Sequence, residues 1–285
     1  MKNAALYDKI RGALYGVAVG DALGGPLEFM SAEQIQKKHG RVTEMIGGGW
    51  LDLEPGETTD DTAMTLCVAY GILEKPLNPT QAIGTRFIDW YNSDPKDIGI
   101  ACASSIRNAI YNGGDWWEAA HRTQVESSRP VEGNGALMRT IYPALYYTDE
   151  DTRRLATRWI ATMTHMGPQS TNLCEEYVEA VHKAIKGEGI WWRITPGSQP
   201  TGYVDDSYNN AIEAITQTRT FEDALVEAIN RGGDADTIGA ICGGMAGAMY
   251  GYSKIPERWI KSLGEDLKNM LDQLAEAAYQ QHEEE

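Results

Sequence analysis

One run of residues, Thr237 to Ser253, constrains the fold of this chain more than any other. It is uncharged and helix-compatible, and it carries Gly239, Gly243, Gly244, Gly247 and Gly251. Each glycine costs roughly 0.5–1 kcal/mol relative to alanine inside a helix, so the set requires a packing reason. Small residues let neighbouring helices approach closely, which places this helix at the centre of the fold, crossed by others on several sides. Gly12, Gly16 and Gly20 repeat the pattern in the first helix, which leads into Asp21-Ala22-Leu23-Gly24. The run is short for a membrane span and rich in Gly and Ala rather than Leu or Phe, so it reads as a buried central helix.

Helical periodicity dominates the rest of the chain. It predicts helices over residues 4–19, 61–74, 80–91, 99–112, 135–147, 150–164, 170–186, 206–217, 220–230, 236–251 and 263–281. Alternating strand patterns are scarce, and the connections carry turn chemistry, as in Asn112-Gly113-Gly114-Asp115 and Thr195-Pro196-Gly197-Ser198. No stretch has the composition of a flexible linker. The expectation is an all-α fold: a single compact orthogonal multi-helix bundle spanning residues 1–285.

The net charge of −16 argues against general affinity for nucleic acid or for anionic membranes, since both rest on basic surface. Any anionic ligand must be held locally. Cys67, Cys102, Cys174 and Cys242 are far apart in helix-like surroundings and read as reduced core thiols. Asp8 and Lys9 interrupt the apolar stretch at the N-terminus, which therefore lacks a signal-peptide core. A cytoplasmic location follows as an expectation.

Two acidic clusters, Thr59-Asp60-Asp61-Thr62 and Asp234-Ala235-Asp236-Thr237, each open an uncharged helical run. A helix N-terminus needs one capping side chain, and a single acid there is favoured by the helix dipole. The second acid in each cluster exceeds that need. If the clusters meet, four carboxylates repel unless cations sit among them, and hard oxygen ligands suit Mg²⁺, Mn²⁺ or Ca²⁺ rather than Zn²⁺. The pattern predicts a binuclear metal site at helix N-termini. Asp21, by contrast, reads as a buried orienting or capping acid.

Further along, Gly133-Asn134-Gly135 precedes an apparent helix from Ala136 and suits a diphosphate or ribose, because glycines admit an anion close to backbone N–H groups. His165 can be a satisfied helix-end histidine or a ligand contact. Tyr203 can stack on a base or anchor the core. The pairs Trp116-Trp117 and Trp191-Trp192 fall in loops or helix ends and read as packing anchors.

Taken together these motifs resemble the ADP-ribosylglycohydrolase family, which includes the dinitrogenase-reductase-activating glycohydrolase and the animal ADP-ribosylhydrolases. The correspondence spans nearly the whole chain. It runs from Arg11-Gly12-Ala13-Leu14-Tyr15-Gly16 and Gly20-Asp21-Ala22-Leu23-Gly24 through Thr58-Thr59-Asp60-Asp61-Thr62-Ala63-Met64 and Asp97-Ile98-Gly99. It continues in Gly133-Asn134-Gly135-Ala136-Leu137-Met138-Arg139, Thr164-His165 and Gly232-Gly233-Asp234-Ala235-Asp236-Thr237-Ile238-Gly239-Ala240.

The resemblance implies an all-α fold and two divalent cations, Mg²⁺ or Mn²⁺, held by Thr59, Asp60, Asp61, Asp234, Asp236 and Thr237. It makes Glu28 a gate or water-orienting acid near the metals. It makes Gly133, Asn134, Gly135 and Met138, with His165 and Tyr203, the side that meets ADP-ribose, and Arg139 either an orienting residue or half of a core ion pair. The implied reaction is hydrolysis of the glycosidic bond joining ADP-ribose to a modified protein side chain or small conjugate. Asp60, Asp61, Asp236 or Glu28 can take the water's proton.

Arginine-linked ADP-ribose is the preferred substrate, because Asp97 stands where arginine-specific members place an acid for the guanidinium leaving group. Asp97 can equally cap the helix near Gly99. Serine-linked ADP-ribose, O-acetyl-ADP-ribose and a non-catalytic ADP-ribose binder are the alternatives. A prenyl or terpene enzyme also holds diphosphate through helical acids, but Met64 stands where a D-D-x-x-D pattern requires its third acid.

Overall fold

The computed structural model describes residues 3–192 and 194–283. Fourteen α-helices follow one another among them. The first seven are α1 (Ala4–Gly24), α2 (Ala32–His39), α3 (Asp60–Glu74), α4 (Thr80–Asn92), α5 (Ile100–Tyr111), α6 (Trp116–Glu126) and α7 (Tyr142–Tyr146). The remainder are α8 (Glu150–Thr162), α9 (Pro168–Lys186), α10 (Val204–Gln217), α11 (Phe221–Ile229), α12 (Ala235–Tyr250), α13 (Glu257–Ser262) and α14 (Glu265–Glu283). The described residues form no sheet, only isolated bridges such as Gly133 with Tyr203.

The glycines find their reason in one contact. α1 and α12 lie antiparallel, backbone on backbone, with Gly12 facing Gly247, Gly16 facing Gly243, Gly20 facing Gly239 and Gly24 facing Ala235. A Cβ added to Gly16 would stand 2.0 Å from the Gly243 carbonyl oxygen, and one on Gly20 would stand 1.9 Å from that of Gly239. The step of four residues on each helix is the i, i+4 ridge, so the whole stripe must be stripped of side chains for the helices to meet. α9, α10 and α11 then pack on α12, and α14 runs along α1. Arg11 ties this outer layer down through Asp272 at 2.7 Å, with its guanidinium 3.7 Å over the Tyr252 ring.

The antiparallel pairing has a direct consequence for chemistry. It sets the C-terminal end of α1, carrying Asp21, beside the N-terminal end of α12, carrying Asp236. The N-terminus of α3 joins them through hydrogen bonds to Asp21.

The helix expected over 135–147 is instead a 3₁₀ turn, Leu137–Arg139, followed by the short α7. Pro143 explains the break: lacking an N–H, it is accommodated only in the first turn of a helix, so α7 must start afresh there. Three helices fall outside the expected spans. α2 opens with a Ser31/Gln34 capping box, α6 is capped by Asp115, which accepts from the Glu118 N–H at 2.9 Å, and α13 follows Pro256. Of the four paired tryptophans only Trp116 is buried, with Trp192 packed against the core edge. Trp117 and Trp191 project into solvent and are not packing anchors. No helix among the described residues is long and apolar enough to cross a membrane.

Candidate active site

Capping does not occupy the acids of the two clusters. Thr59 takes the N-cap position of α3 without a side-chain cap bond, because Asp21 of α1 does the work from outside. Its carboxylate accepts the Thr59 N–H at 3.0 and 3.1 Å, the Thr59 hydroxyl at 2.9 Å, the Thr62 N–H at 3.0 Å and the Thr62 hydroxyl at 2.5 Å. Asp21 is thus the buried capping acid expected of it. Asp234 holds the N-cap position of α12 and likewise makes no cap bond. Its Oδ2 accepts from the Asn134 side-chain amide at 2.6 Å.

The clusters converge. The Thr237 hydroxyl donates to Asp61 Oδ2 at 3.3 Å, which the Thr59 hydroxyl also approaches at 3.4 Å, while Asp61 Oδ1 is buried with no hydrogen-bond partner. Asp236 Oδ1 accepts the Thr237 N–H at 2.8 Å, and Asp60 Oδ2 accepts the Gly99 N–H at 3.3 Å. These few bonds leave most carboxylate lone pairs unused in a buried place. Burial pushes the carboxyls of Asp60, Asp61 and Asp236 well above the ordinary range, and neighbouring carboxylates push them further. Asp21 is raised to about 6, chiefly by burial, against the Thr62 and Thr59 hydrogen bonds.

Glu28 and Asp97 complete the ring of charge. One oxygen or ligand atom from each of Glu28, Asp97 and Asp236 lies within 4.8 Å of the others, the one acidic group this tight among the described residues. It takes only Asp236 from the expected ligand set and adds two acids expected to act on water and leaving group. Burial raises Glu28 to about 8 despite its hydrogen bond from Trp50, with Asp97 and Asp234 contributing repulsion. Asp97 is raised by burial and then by Asp234, and it caps nothing: Gly99 holds the N-cap position of α5, which has no side-chain cap bond.

An orphaned buried carboxylate oxygen, a triad within reach of one ion and uniformly oxygen donors fit hard divalent cations such as Mg²⁺ or Mn²⁺. They do not suit a soft-ligand metal, since no cysteine joins the group.

These acids line one end of a cleft of about 710 Å³. Glu28, Asp60, Asp97, Asp234, Asp236 and Thr237 open onto it, and Gly133, Asn134, Gly135, Met138 and His165 also line it, with Asn134 touching Asp234. Thr59 and Asp61 lie beneath the floor rather than on it. The 133–135 loop is not followed by a regular helix N-terminus. It pairs instead with residues 202–204, and the Asn134 N–H is consumed by the Gly202 carbonyl at 3.1 Å.

Tyr203 is absent from the lining and 47 % exposed, so it is no core anchor. His165 is buried, with Nδ1 2.7 Å from the Thr164 hydroxyl, and burial followed by the Arg139 charge lowers its pKa to about 3. Arg139 is fully buried without a carboxylate partner among the described residues, bonding to the carbonyls of Gly135 and Ile160 and to Thr164, so it is not half of a core ion pair.

Trp50 and Phe29 were not foreseen. Trp50 donates its indole N–H to Glu28 Oε2 at 2.6 Å, and the rings of Phe29 and Trp50 stand 5.6 Å apart, both largely exposed at the cleft mouth. Phe29 adopts φ 62°, a conformation rare for a bulky residue. Two bonds hold it there, Phe29 N–H to the Gly233 carbonyl and Gly233 N–H to the Met30 carbonyl, both 2.7 Å. They fasten Glu28 beside the α12 N-terminus. The glycines 47–49 preceding Trp50, all with positive φ, were the available signal.

Comparison with known proteins places the whole chain in a family. The chain is 34 % identical to the ADP-ribosyl-[dinitrogen reductase] glycohydrolase of Rhodospirillum rubrum, covering 92 % of each chain. It is 29 % identical to the ADP-ribosylarginine hydrolase Tri1 of Serratia proteamaculans, over 94 % of this chain and 79 % of that one. A solved structure described as an ADP-ribosylglycohydrolase-related protein complex superposes with a TM-score of 0.82 at 28 % identity, covering 98 % of this chain and 99 % of that one. The family model for ADP-ribosylglycohydrolase matches residues 2–195 and 190–284, and with the acids gathered where α1, α3 and α12 meet, this chain belongs to that family of hydrolases.

Proposed function

We propose that this hydrolase removes ADP-ribose from arginine side chains of modified proteins or from small arginine conjugates. The observation that carries the linkage is Asp97. It is free of capping duty, opens onto the cleft, and lies within 4.8 Å of Glu28 and Asp236, where a leaving guanidinium would find an acidic partner. The relative named an ADP-ribosylarginine hydrolase adds weight. The whole of residues 1–285 is read as one catalytic domain working in the cytoplasm, with no nucleic-acid partner.

Thr59, Asp60, Asp61, Asp234, Asp236 and Thr237 would hold two divalent cations, Mg²⁺ or Mn²⁺. Such ions would supply neutralisation of the carboxylates and Lewis-acid polarisation of a water. The protein's own groups do the rest. Gly133, Asn134, Gly135, Met138 and His165 hold the ADP-ribose along the cleft. The bond from the anomeric carbon to the guanidinium nitrogen breaks as a C–O bond to water forms, and the surrounding carboxylates stabilise the positive charge that develops on the sugar.

Glu28 takes the water's proton. Trp50 holds its Oε2, which leaves Oε1 for that task. Asp97 steadies the guanidinium of the substrate, whose preferred orientation then matches the acid beside it; it departs with the C–N electron pair as guanidine, which takes up the proton that Glu28 drew from water. The deciding experiment measures release of ADP-ribose from ADP-ribosylarginine and ADP-ribosylserine peptides, with and without EDTA. Metal-dependent turnover of the arginine conjugate above the serine conjugate supports the proposal, and the reverse preference rejects it.

A further inference from the structure

We propose that Arg139 and Thr164 form a hydrogen-bond relay that fixes His165 as the tautomer protonated on Nε2 and presents that N–H to an acceptor oxygen of the ligand. Both are then positioning residues. The argument starts from what each group is able to donate. A guanidinium only donates, and Arg139 gives Nη2 hydrogens to the Ile160 carbonyl at 3.2 Å and to the Thr164 hydroxyl oxygen at 2.8 Å. The Thr164 oxygen is therefore already an acceptor, and its single proton must be given elsewhere.

At 2.7 Å lies His165 Nδ1. The competing acceptor is the Cys102 sulfur, which is intrinsically weak, faces the Gly135 carbonyl at 3.9 Å as a thiol, and already receives an Arg139 N–H at 3.6 Å. The imidazole nitrogen takes the proton, and a hydroxyl polarised by a guanidinium is the better donor for it. With Nδ1 accepting, the ring hydrogen of neutral histidine must sit on Nε2.

The outward direction is set by the glycines. A Cβ on Gly133 would stand 3.1 Å from Nε2, and one on Gly135 would stand 3.1 Å from Cε1 and 3.5 Å from Nε2. Both positions are bare where the ring edge meets the cleft wall, so the N–H faces the lining and not the core. Burial and the Arg139 charge keep the ring neutral, its pKa held near 3, so His165 serves by direction rather than by charge. Arg139, buried with no carboxylate partner among the described residues, acquires a reason: it orders this relay and, as a fixed cation nearby, opposes protonation of the ring.

The ligand named rests on the proposed ADP-ribose site, whereas the tautomer does not. Long-range ¹H–¹⁵N correlation NMR on protein labelled at its five histidines reads the tautomer directly. The wild type is expected to show His165 neutral and Nε2-protonated from pH 8 to 5. Thr164→Val should release the fixed tautomer and weaken binding of free ADP-ribose about 3- to 10-fold, the scale of one hydrogen bond, while Thr164→Ser preserves both.

An Nδ1-protonated ring in the wild type overturns the relay, as does Thr164→Val with tautomer and affinity unchanged. Should Thr164→Val not fold, the wild-type spectrum together with Thr164→Ser decides. An Nε2-protonated ring in a protein that fails to bind ADP-ribose rejects the substrate reading and leaves the relay standing.

Discussion

The middle of α12 and its first turn obey opposite rules. Along Gly239, Gly243 and Gly247 the helix meets α1 with nothing between the backbones. One turn earlier, Asp234 and Asp236 stand among Asp60, Asp61, Glu28 and Asp97 with more negative charge than hydrogen bonds to quiet it. The first region stabilises the fold; the second spends that stability. A rigid seam is what allows six acids to be held together when their repulsion would otherwise part them, and the strain sits where a ligand can relieve it.

The comparison is broken most severely by Gly243→Ala. Helix propensity alone predicts a gain of about 1 kcal/mol. The seam predicts a loss of about 3 kcal/mol or more, at the upper end of overpacking costs, because the new methyl would lie 2.0 Å from the Gly16 carbonyl oxygen. Gly99→Ala is the control at the other region: nothing lies within 4 Å of its added methyl, and urea denaturation should place it within about 0.5 kcal/mol of wild type.

Asp236→Asn inverts the pattern, abolishing turnover while raising the melting temperature of the metal-free protein by removing one repelling charge. An unchanged or lowered melting temperature would mean the acids are not strained. Asp97→Asn is milder. It should cut ADP-ribosylarginine hydrolysis about 10²–10⁴-fold, the usual worth of an acid–base or orienting group, with little change in affinity for free ADP-ribose. Full activity would remove Asp97 from the site.

Smallest is Trp50→Phe, which takes one donor from Glu28. Its hydrogen bond holds the Glu28 pKa down, so the acidic limb of the rate profile should move to higher pH with a loss within about tenfold in kcat. An unmoved limb would show that Glu28 does not control it.

How much of this was legible follows the same division. The cost of glycine in a helix is local, so the need for a bare stripe was readable, although its partner was not: which helix fills the stripe is a tertiary fact. The surplus of acids over caps was readable for the same reason. That Asp21 caps α3 from another helix, freeing Thr59, Asp60 and Asp61, was only half readable, since a capping role was visible and its target was not.

The helix expected over 135–147 failed because apolar periodicity continues through a proline that restarts the backbone. The core-anchor reading of Tyr203 failed because exposure depends on neighbours distant in sequence. Trp50 was missed because it reaches Glu28 across 22 positions, and no local pattern records that hydrogen bond.

The most direct test of the strained-acid account is the melting temperature of the EDTA-treated protein against pH, with and without Mn²⁺. Carboxyls raised in the folded state, Glu28 to about 8 and Asp21 to about 6 with Asp60, Asp61 and Asp236 also raised, bind more protons folded than unfolded above the ordinary range near 4. Stability then falls as pH rises, by about 1.4 kcal/mol per pH unit for each extra proton held. The account predicts a metal-free melting temperature that declines from pH 5 to pH 8 and a stabilisation by Mn²⁺ that is larger at pH 8 than at pH 5. A melting temperature that stays level or climbs over that range, unmoved by Mn²⁺, would contradict it.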